Sequence, residues 1–512
     1  MSANRRDFIK FVVAGAVTAG CPIDLSLIAQ QSGEPSKTTT PEVDGESNKI
    51  CHQVRDGKIF ARPPASARHD VVIVGGGVSG LTAAYRLQQR DFLLLEKEPH
   101  WGGNAYLMEY EGTPYATGAA FLVKDEHAYP FSKETGLEPL PVNSPDGSII
   151  HGEFIPDTWG DGINKLPYSA TVRESFKKFK KQMLAVDVEK QRNELFNTPF
   201  SDFMKGYPVQ VKQWWDTFGA SNWGARSEET AAALAILSLQ DMVDESREDD
   251  RYTWPGGLGA ITKKLSEILL AKHNDRMLAG ATIVAVVPGK EDVQVTYMLG
   301  GDLKTVAAKA VIMATPKFIT RRIVEGLPEK QSDAMNEIHY IPYPVVNLIF
   351  DKPVFNQGYD TWCPGNSFTD FIVADWVVQK QPGYKQKFNI LTCYTPMNRE
   401  NRRELLTEDG ARQVAANVLK DFQKLMPAMN VDPVEVHIYR RGHPLYMSMP
   451  KLYTEIQPLV RHPMDRIFFA NTDSEGPEST TNSGILAAER AVREVEARLA
   501  GRPGPKARAV AS

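Results

Sequence analysis

The sequence predicts an α/β fold in which a Rossmann-like dinucleotide-binding domain is interleaved with an α+β domain, a mixed sheet flanked by helices. A strand, a glycine-rich turn, a helix and a second strand follow one another over His69–Glu96. Residues 126–250 read as mainly helical, and residues 340–455 alternate as antiparallel strands do. The 512 residues leave room for two or three domains.

Composition and charge exclude several classes of protein. The chain is 42% hydrophobic and 24% charged, with a net charge of -4, which is typical of a globular protein and argues against a nucleic-acid partner. The four cysteines form no C-x-x-C pair, and the ten histidines show no metal-ligand spacing. We therefore expect no metal site.

The N-terminus is predicted to be an export signal. Residues Asn4–Lys10, NRRDFIK, resemble the twin-arginine motif, and the apolar segment Phe11–Gly20 is too short to span a membrane. We therefore expect a twin-arginine signal segment at 1–30, the twin-arginine export machinery as a partner, and a periplasmic or otherwise exported protein. The residues before Cys21 partly match a lipoprotein cleavage box, which leaves open whether Cys21 is lipidated and tethers the chain to a membrane.

Residues 31–68 precede the first strand of the dinucleotide-binding unit. They are rich in Ser, Thr, Pro, Glu and Gly, as in QQSGEPSKTTTPEVDGES. Such a composition buries little apolar surface, so we predict a flexible linker.

The glycine-rich unit is predicted to bind the ADP half of a dinucleotide. Gly75, Gly77 and Gly80 form a G-x-G-x-x-G between a buried strand and a helix. Gly75 permits the tight turn, Gly77 lets a pyrophosphate approach the backbone, and Gly80 lets the helix pack close to the sheet. The helix N-terminus attracts phosphates, and Glu96 follows at the spacing of an acid that accepts from a ribose hydroxyl.

A second glycine pair, directly after this unit, indicates one family of flavoproteins. The segment Lys97–Ala105, KEPHWGGNA, resembles the flavin-containing amine oxidase superfamily, which includes monoamine and polyamine oxidases, protoporphyrinogen oxidase and phytoene desaturase. The resemblance implies FAD as the cofactor and a FAD-binding domain interleaved with a substrate domain. Gly102 and Gly103 are then expected along the FAD pyrophosphate. Lys97 and Asn104 are expected beside them, Asn104 where the family usually has arginine.

The same resemblance divides the chain into alternating parts. FAD-binding parts are expected at 69–125, 251–335 and 461–500. Substrate-domain parts are expected at 126–250, mainly helical, and at 336–460, an antiparallel sheet. A disordered tail is expected at 501–512.

Further cofactor contacts are expected in each FAD-binding part. The resemblance places Gly118 and Ala119 in a small-residue strand beside the isoalloxazine ring, and the backbone of Ile283 against the adenine. Near the C-terminus it implies flavin contacts from a last strand and its acidic residue, and from the start of the following helix. That helix would direct its N-terminus at the N1–C2=O edge, where a reduced flavin gathers negative charge. The residues concerned are Asp473, Thr480 and Thr481.

The expected chemistry is hydride transfer from a small-molecule substrate to flavin N5, with reoxidation by oxygen or another acceptor. Many amine oxidases of the family carry a lysine that holds a water at N5. The matching position here is Val345, and Lys352 lies beyond the strand. The leading substrate is an amine. The alternatives are dehydrogenation of a hydrophobic substrate, as in protoporphyrinogen oxidases and carotene desaturases, and a non-redox flavoprotein.

Two aromatic residues are candidates for the substrate pocket. Tyr446, the candidate catalytic residue, precedes the last FAD-binding part, where family members place pocket aromatics, and Trp376 is the second candidate. Core packing is the alternative role for each.

Overall fold

The structure, a computed structural model, describes residues 39–144, 146–243, 249–379 and 381–502. The predicted export segment with Cys21, and residues 503–512 of the predicted tail, lie outside these residues. Within the described ranges, no helix is long and apolar enough to cross a membrane. In the same ranges, no group of three or more His, Cys, Asp or Glu side chains is arranged to hold a metal ion.

Most of the strands belong to two large sheets. The strands are β1 Glu42–Gly45, β2 Arg68–Val74, β3 Phe92–Leu95, β4 Leu107–Tyr110, β5 Thr113–Ala116, β6 Leu122–Val123, β7 Leu140–Pro141, β8 Gly147–Ile150, β9 Glu153–Pro156, β10 Arg251–Thr253, β11 Met277–Leu278, β12 Thr282–Pro288, β13 Val293–Leu299, β14 Asp302–Met313, β15 Tyr340–Ile341, β16 Val345–Phe350, β17 Asp360–Trp362, β18 Asp370–Val373, β19 Asn389–Tyr394, β20 Glu435–Arg440, β21 Leu445–Tyr446 and β22 Ile467–Phe469.

The α-helices lie between these strands in the chain, except the last, which follows β22. They are α1 Lys49–Arg55, α2 Val78–Arg86, α3 Ala128–Glu134, α4 Ala170–Leu184, α5 Arg192–Leu195, α6 Val209–Trp223, α7 Ala232–Met242, α8 Gly259–His273, α9 Lys317–Ile323, α10 Glu329–Glu337, α11 Glu408–Leu425, α12 Gln457–Val460 and α13 Thr481–Leu499.

The first sheet confirms the predicted dinucleotide-binding unit. Its order is β11-β3-β2-β14-β13-β12, with β22 also paired to β14, and β3, β2, β14 and β22 run parallel. Val71 and Ile73 pack with α2, α8 and α13 on one face, whereas Val72 and Val74 pack in the core on the other. A strand covered on both faces reads as a continuous apolar run, which is the pattern seen in the sequence.

The second sheet has the order β1-β20-β16-β19-β18-β17-β8-β9. The antiparallel strands predicted between 336 and 460 form its centre, and α11 packs against it. The hairpin of β8 and β9 extends the sheet at one edge. This hairpin comes from 126–250, where a mainly helical region was expected, because its short strands lack a long alternating pattern.

The expectation of a flexible linker over 31–68 is wrong for residues 42–56, which we call the N-terminal strap. Its strand β1 pairs in parallel with β20 at the edge of the second sheet, and α1 follows. Composition alone missed this strand because an edge strand is held by backbone hydrogen bonds, which do not require apolar side chains.

The small-residue strand expected around Gly118 and Ala119 is also corrected. Strand β5 ends at Ala116, and both residues lie in the irregular segment before β6. A Cβ at Gly118 would lie 1.9 Å from the carbonyl oxygen of Asn104. Gly118 therefore lies against the backbone of Asn104, where a side chain would not fit.

Candidate cofactor and substrate site

A cavity of about 720 Å³ opens beside the glycine-rich turn at the end of β2. Its walls come from both sheets, from the N-terminal strap and from the start of α13. The predicted cofactor residues that line it are Gly75, Gly77, Glu96, Lys97, Gly102, Gly103, Asn104, Ala119, Ile283, Thr480 and Thr481. The structure therefore brings together residues from both ends of the described chain, from Gly75 to Thr481.

Two glycines fix the geometry of the turn. Gly75 has φ +106°, a conformation that favours glycine, and a Cβ there would lie 2.7 Å from the carbonyl oxygen of Ala314. Gly80 does not line the cavity. A Cβ at Gly80 would lie 1.7 Å from the carbonyl oxygen of Gly75, so its lack of a side chain lets α2 approach the turn. This is the packing role that the motif predicts.

Gly77 opens onto the cavity. A Cβ at this position would meet nothing closer than the Cα of Gly103, at 3.7 Å. Gly77 also pairs with Gly102 as an isolated bridge, which brings the two glycine turns together. The described residues leave the space above this backbone unfilled, and a pyrophosphate held by backbone N–H groups at a helix N-terminus fits such a cradle.

The carboxylate of Glu96 is held rigidly at the cavity wall. It accepts hydrogen bonds from the backbone N–H of Gly76, at 2.6 Å, and of Glu98, at 2.8 Å. Burial raises its pKa, and the charge of Lys97 and these two backbone donors act in the opposite direction. Each carboxylate oxygen can accept more than one hydrogen bond, so Glu96 keeps capacity for a ribose hydroxyl.

The cavity wall carries much positive charge. Asn104, which replaces the usual arginine, donates to the carbonyl oxygen of Pro444 at 2.6 Å. Arginines from other segments line the cavity instead, and burial together with this charge lowers the pKa of His443 to about 3. Sequence reasoning missed these arginines because no motif connects them: Arg55, Arg322, Arg399, Arg402, Arg403 and Arg440.

Asp473 does not line the cavity, although the resemblance implied a flavin contact. Its side chain is fully buried and pairs with the ammonium group of Lys317 at 2.5 Å. It also accepts from the Tyr340 hydroxyl at 2.5 Å and from the backbone N–H of Lys317 at 2.9 Å. Asp473 thereby joins the start of α9 to the C-terminal segment. Thr480, by contrast, lines the cavity and caps α13 through Ser483.

A buried polar cluster lies against the segment Gly118–Ala120. The hydroxyl of Tyr394 donates to the carbonyl oxygen of Gly118 at 2.7 Å, and that of Tyr359 donates to that of Ala120 at 3.3 Å. Ala119, between them, lines the cavity. These two tyrosines belong to a group of neighbouring polar side chains that we call the tyrosine–acid cluster. Its members are Ser221, Tyr343, Tyr359, Asp360, Asp370 and Tyr394.

Asp360 and Asp370 are both buried in this cluster. Burial raises the pKa of each carboxyl group, and that of Asp370 reaches about 7. Thr369 donates to Asp370 at 2.6 Å, whereas Oδ1 of Asp360 has no hydrogen-bond partner among the residues that the structure describes. The nearby Arg251 is already paired with Asp249, at 2.9 Å, and with Asp146. Within the described part of the chain, no lysine or arginine forms an ion pair with either carboxyl group.

The structure places the two candidate aromatics in different surroundings. Tyr446 is 1% exposed, packs in the hydrophobic core below the first sheet and does not line the cavity. The expectation of a substrate-facing Tyr446 is therefore not met, because β21 pairs with β15 and is covered. Trp376 donates to the carbonyl oxygen of Val142 at 2.8 Å and packs beside the tyrosine–acid cluster. Val345 is buried in the same group of side chains.

The fold and the cavity together define a dinucleotide-binding protein whose second sheet contributes to the wall of the cavity. A family model described as flavin containing amine oxidoreductase matches residues 78–496. The chain therefore belongs to this family, and it is an FAD-dependent oxidoreductase.

Individual relatives agree with this membership. The chain is 22% identical to Oxidoreductase PigB of Serratia sp. in an alignment that covers 85% of this chain and 76% of the relative. It is 25% identical to Polyamine oxidase 2 of Arabidopsis thaliana in an alignment that covers 82% of this chain and 87% of the relative. A solved structure of putrescine oxidase bound to putrescine has the same fold. The TM-score is 0.65 at 18% identity, covering 84% of this chain and 99% of that chain.

The residues that line the cavity fit FAD. The open backbone at Gly77 and Gly103 suits the pyrophosphate, and the fixed carboxylate of Glu96 suits a ribose hydroxyl. Ile283 and Thr480 reach the same cavity from β12 and from the cap of α13. When bound, FAD supplies the hydride acceptor. The residues of this chain that line the cavity would hold and orient it.

Proposed function

We propose that this protein is an exported FAD-dependent oxidase or dehydrogenase of amines, with reoxidation by oxygen or another acceptor. The observation that carries the proposal is the pair of buried carboxyl groups, Asp360 and Asp370, in the tyrosine–acid cluster. An amine is a cation at neutral pH, and a buried carboxylate is stabilised by an opposite charge within hydrogen-bond reach.

The position of the cluster supports a role in substrate binding. It contacts the carbonyl oxygens of Gly118 and Ala120, whose neighbour Ala119 lines the FAD cavity. The hydroxyl groups of Tyr343 and Ser221 lie 2.7 Å apart in the same cluster. Tyrosine rings offer an apolar surface and a face that attracts cations. Ring faces, hydroxyl groups and the two buried carboxyl groups together suit an aliphatic amine.

Substituting Asp360 with asparagine is expected to weaken amine binding. The amide keeps the size of the side chain but cannot become negative, so a charge-assisted hydrogen bond worth ~1.5–3 kcal/mol is lost and KM rises about 10- to 100-fold. Steady-state kinetics with the best amine substrate measure this change. Asp351→Asn, at an exposed position, makes the same change of charge and should leave KM unaltered. If KM were unchanged in Asp360→Asn, the carboxyl pair would have no role in substrate recognition.

One observation favours a second function, the dehydrogenation of a carbon–carbon bond in a hydrophobic substrate. The position at which many amine oxidases carry a lysine is Val345, buried against Tyr359 and Tyr394. Protoporphyrinogen oxidases and carotene desaturases resemble this chain in lacking that lysine. Anaerobic reduction of the flavin by a lipophilic substrate, and by no amine, would support this second function. A flavin that exchanges electrons with no donor would indicate a non-redox role.

Export through the twin-arginine route to the periplasm is part of the proposal. Its support is the motif at Asn4–Lys10. A FAD-loaded protein is compatible with this route, which carries folded proteins. Cell fractionation tests it, and a protein found in the cytoplasmic fraction alone would contradict it. A lipid on Cys21 would add retention in the membrane fraction.

A further inference from the structure

The N-terminal strap connects the two sheets across the FAD cavity. On one side, β1 pairs with β20 from Glu42 opposite His437 to Gly45 opposite Arg440, and the N–H of Glu46 donates to the carbonyl oxygen of Arg440 at 3.1 Å. These bonds make the strap the edge strand of the second sheet.

On the other side, the strap is bound to the segment that follows the ribose acid. The backbone N–H of Ser47 donates to Oε1 of Glu98 at 2.9 Å, and the ammonium group of Lys97 donates to the carbonyl oxygen of Ser47 at 3.3 Å. Glu98 is 7% exposed, so its bond to Ser47 is shielded from water. Helix α1 then packs against β12, a strand of the first sheet, and against helix α9.

The inner surface of the strap forms part of the cavity wall. Cys51 in α1 lines the same cavity as Glu96, the candidate ribose acid, and burial raises the pKa of its thiol. The same helix packs on β12, whose Ile283 lines the cavity. The strap residues in the wall are Glu46, Ser47, Asn48, Cys51, His52 and Arg55.

We propose that the N-terminal strap is an additional part of the cofactor site, which closes the cleft over the adenosine half of FAD and retains it. Release of the cofactor then requires the strap to detach from Glu98 or from β20. The strap precedes the residues matched by the family model, 78–496, and so is not part of that match. The proposal rests on FAD binding and is independent of the substrate, so its test does not depend on activity.

The rate of FAD release from the full-length holoprotein tests the strap. In Gly45→Ala, a Cβ would lie 2.5 Å from the carbonyl oxygen of Arg440 and 2.7 Å from its nitrogen, at a φ of +141°. The strand β1 cannot keep its register with such a contact. Dilution into FAD-free buffer, followed by the fluorescence of released flavin, should show release at least about tenfold faster, equivalent to ~1.4 kcal/mol.

Two further variants separate strap opening from general damage. Ser47→Pro removes the N–H that donates to Glu98 and should also accelerate release, while leaving the core untouched. Gly206→Ala is the matched control, since Gly206 has φ +84° and no atom within 4 Å of an added Cβ. Limited proteolysis should cut residues 42–56 in the two strap variants only. The proposal would be overturned if proteolysis showed that the strap is displaced and FAD were still released at the wild-type rate.

Discussion

Gly77→Val is expected to yield a folded protein without FAD. The valine side chain would occupy the space above the glycine turn. Among the described residues, the atom nearest to a Cβ at this position is the Cα of Gly103, at 3.7 Å. Backbone torsion adds no penalty, because Gly77 has φ -77° and ψ -172°. The substitution therefore costs the fold little and excludes the pyrophosphate from its cradle. The ratio of flavin absorbance to protein absorbance after desalting measures the effect.

Controls make this prediction specific to the pyrophosphate. Gly77→Ala should lower the flavin content less than valine does, because its side chain intrudes less. Gly80→Ala should damage the fold itself, since its Cβ would lie 1.7 Å from the carbonyl oxygen of Gly75. Gly206→Ala, in an exposed loop, should change neither property. A Gly77→Val protein that retains stoichiometric FAD would place the cofactor elsewhere.

Lys317→Met is expected to be the most destabilising single substitution of a charged residue. Lys317 and Asp473 are both fully buried, and removing the lysine leaves the carboxylate of Asp473 without its counter-ion. Breaking one partner of a buried pair typically costs about 3–5 kcal/mol. Urea unfolding of the holoprotein should show this loss in the free energy of unfolding as a lower midpoint with an unchanged slope.

An exposed ion pair provides the comparison. Lys263 pairs with Glu109 at 3.0 Å, and both side chains are about half exposed. Lys263→Met should cost no more than ~1 kcal/mol. The double variant Lys317→Met/Asp473→Asn should recover part of the lost stability, because a neutral amide needs no counter-ion. A cost for Lys317→Met as small as that for Lys263→Met would show that the buried pair does not hold α9 to the C-terminal segment.

The glycine turn was predictable because its requirements are local. Gly75, Gly77, Gly80 and Glu96 each perform a backbone or hydrogen-bonding task that depends on a few neighbouring residues. Their spacing therefore predicted both the fold of this unit and a site for the ADP half of the cofactor. Ile283 could be placed only through the family resemblance, yet it too reaches the cavity.

Other parts of the site depend on contacts that no spacing reveals. The composition of the strap is typical of a flexible linker. Its position in the structure depends instead on the pairing of β1 with β20 and on the hydrogen bond from Ser47 to Glu98. Asp473 was expected at the flavin, but its charge is satisfied by Lys317. Asp360 and Asp370 occupy neighbouring strands, and only the fold brings them beside the tyrosines.

Anaerobic titration of the purified holoprotein with a panel of mono-, di- and polyamines tests the central claim most directly. The account predicts that at least one amine removes the absorbance of the oxidised flavin in a stoichiometric reaction, and that Asp360→Asn shifts this reaction to higher amine concentration. An oxidised spectrum that persists with every amine, while dithionite still reduces the flavin, would contradict the assignment of an amine as substrate.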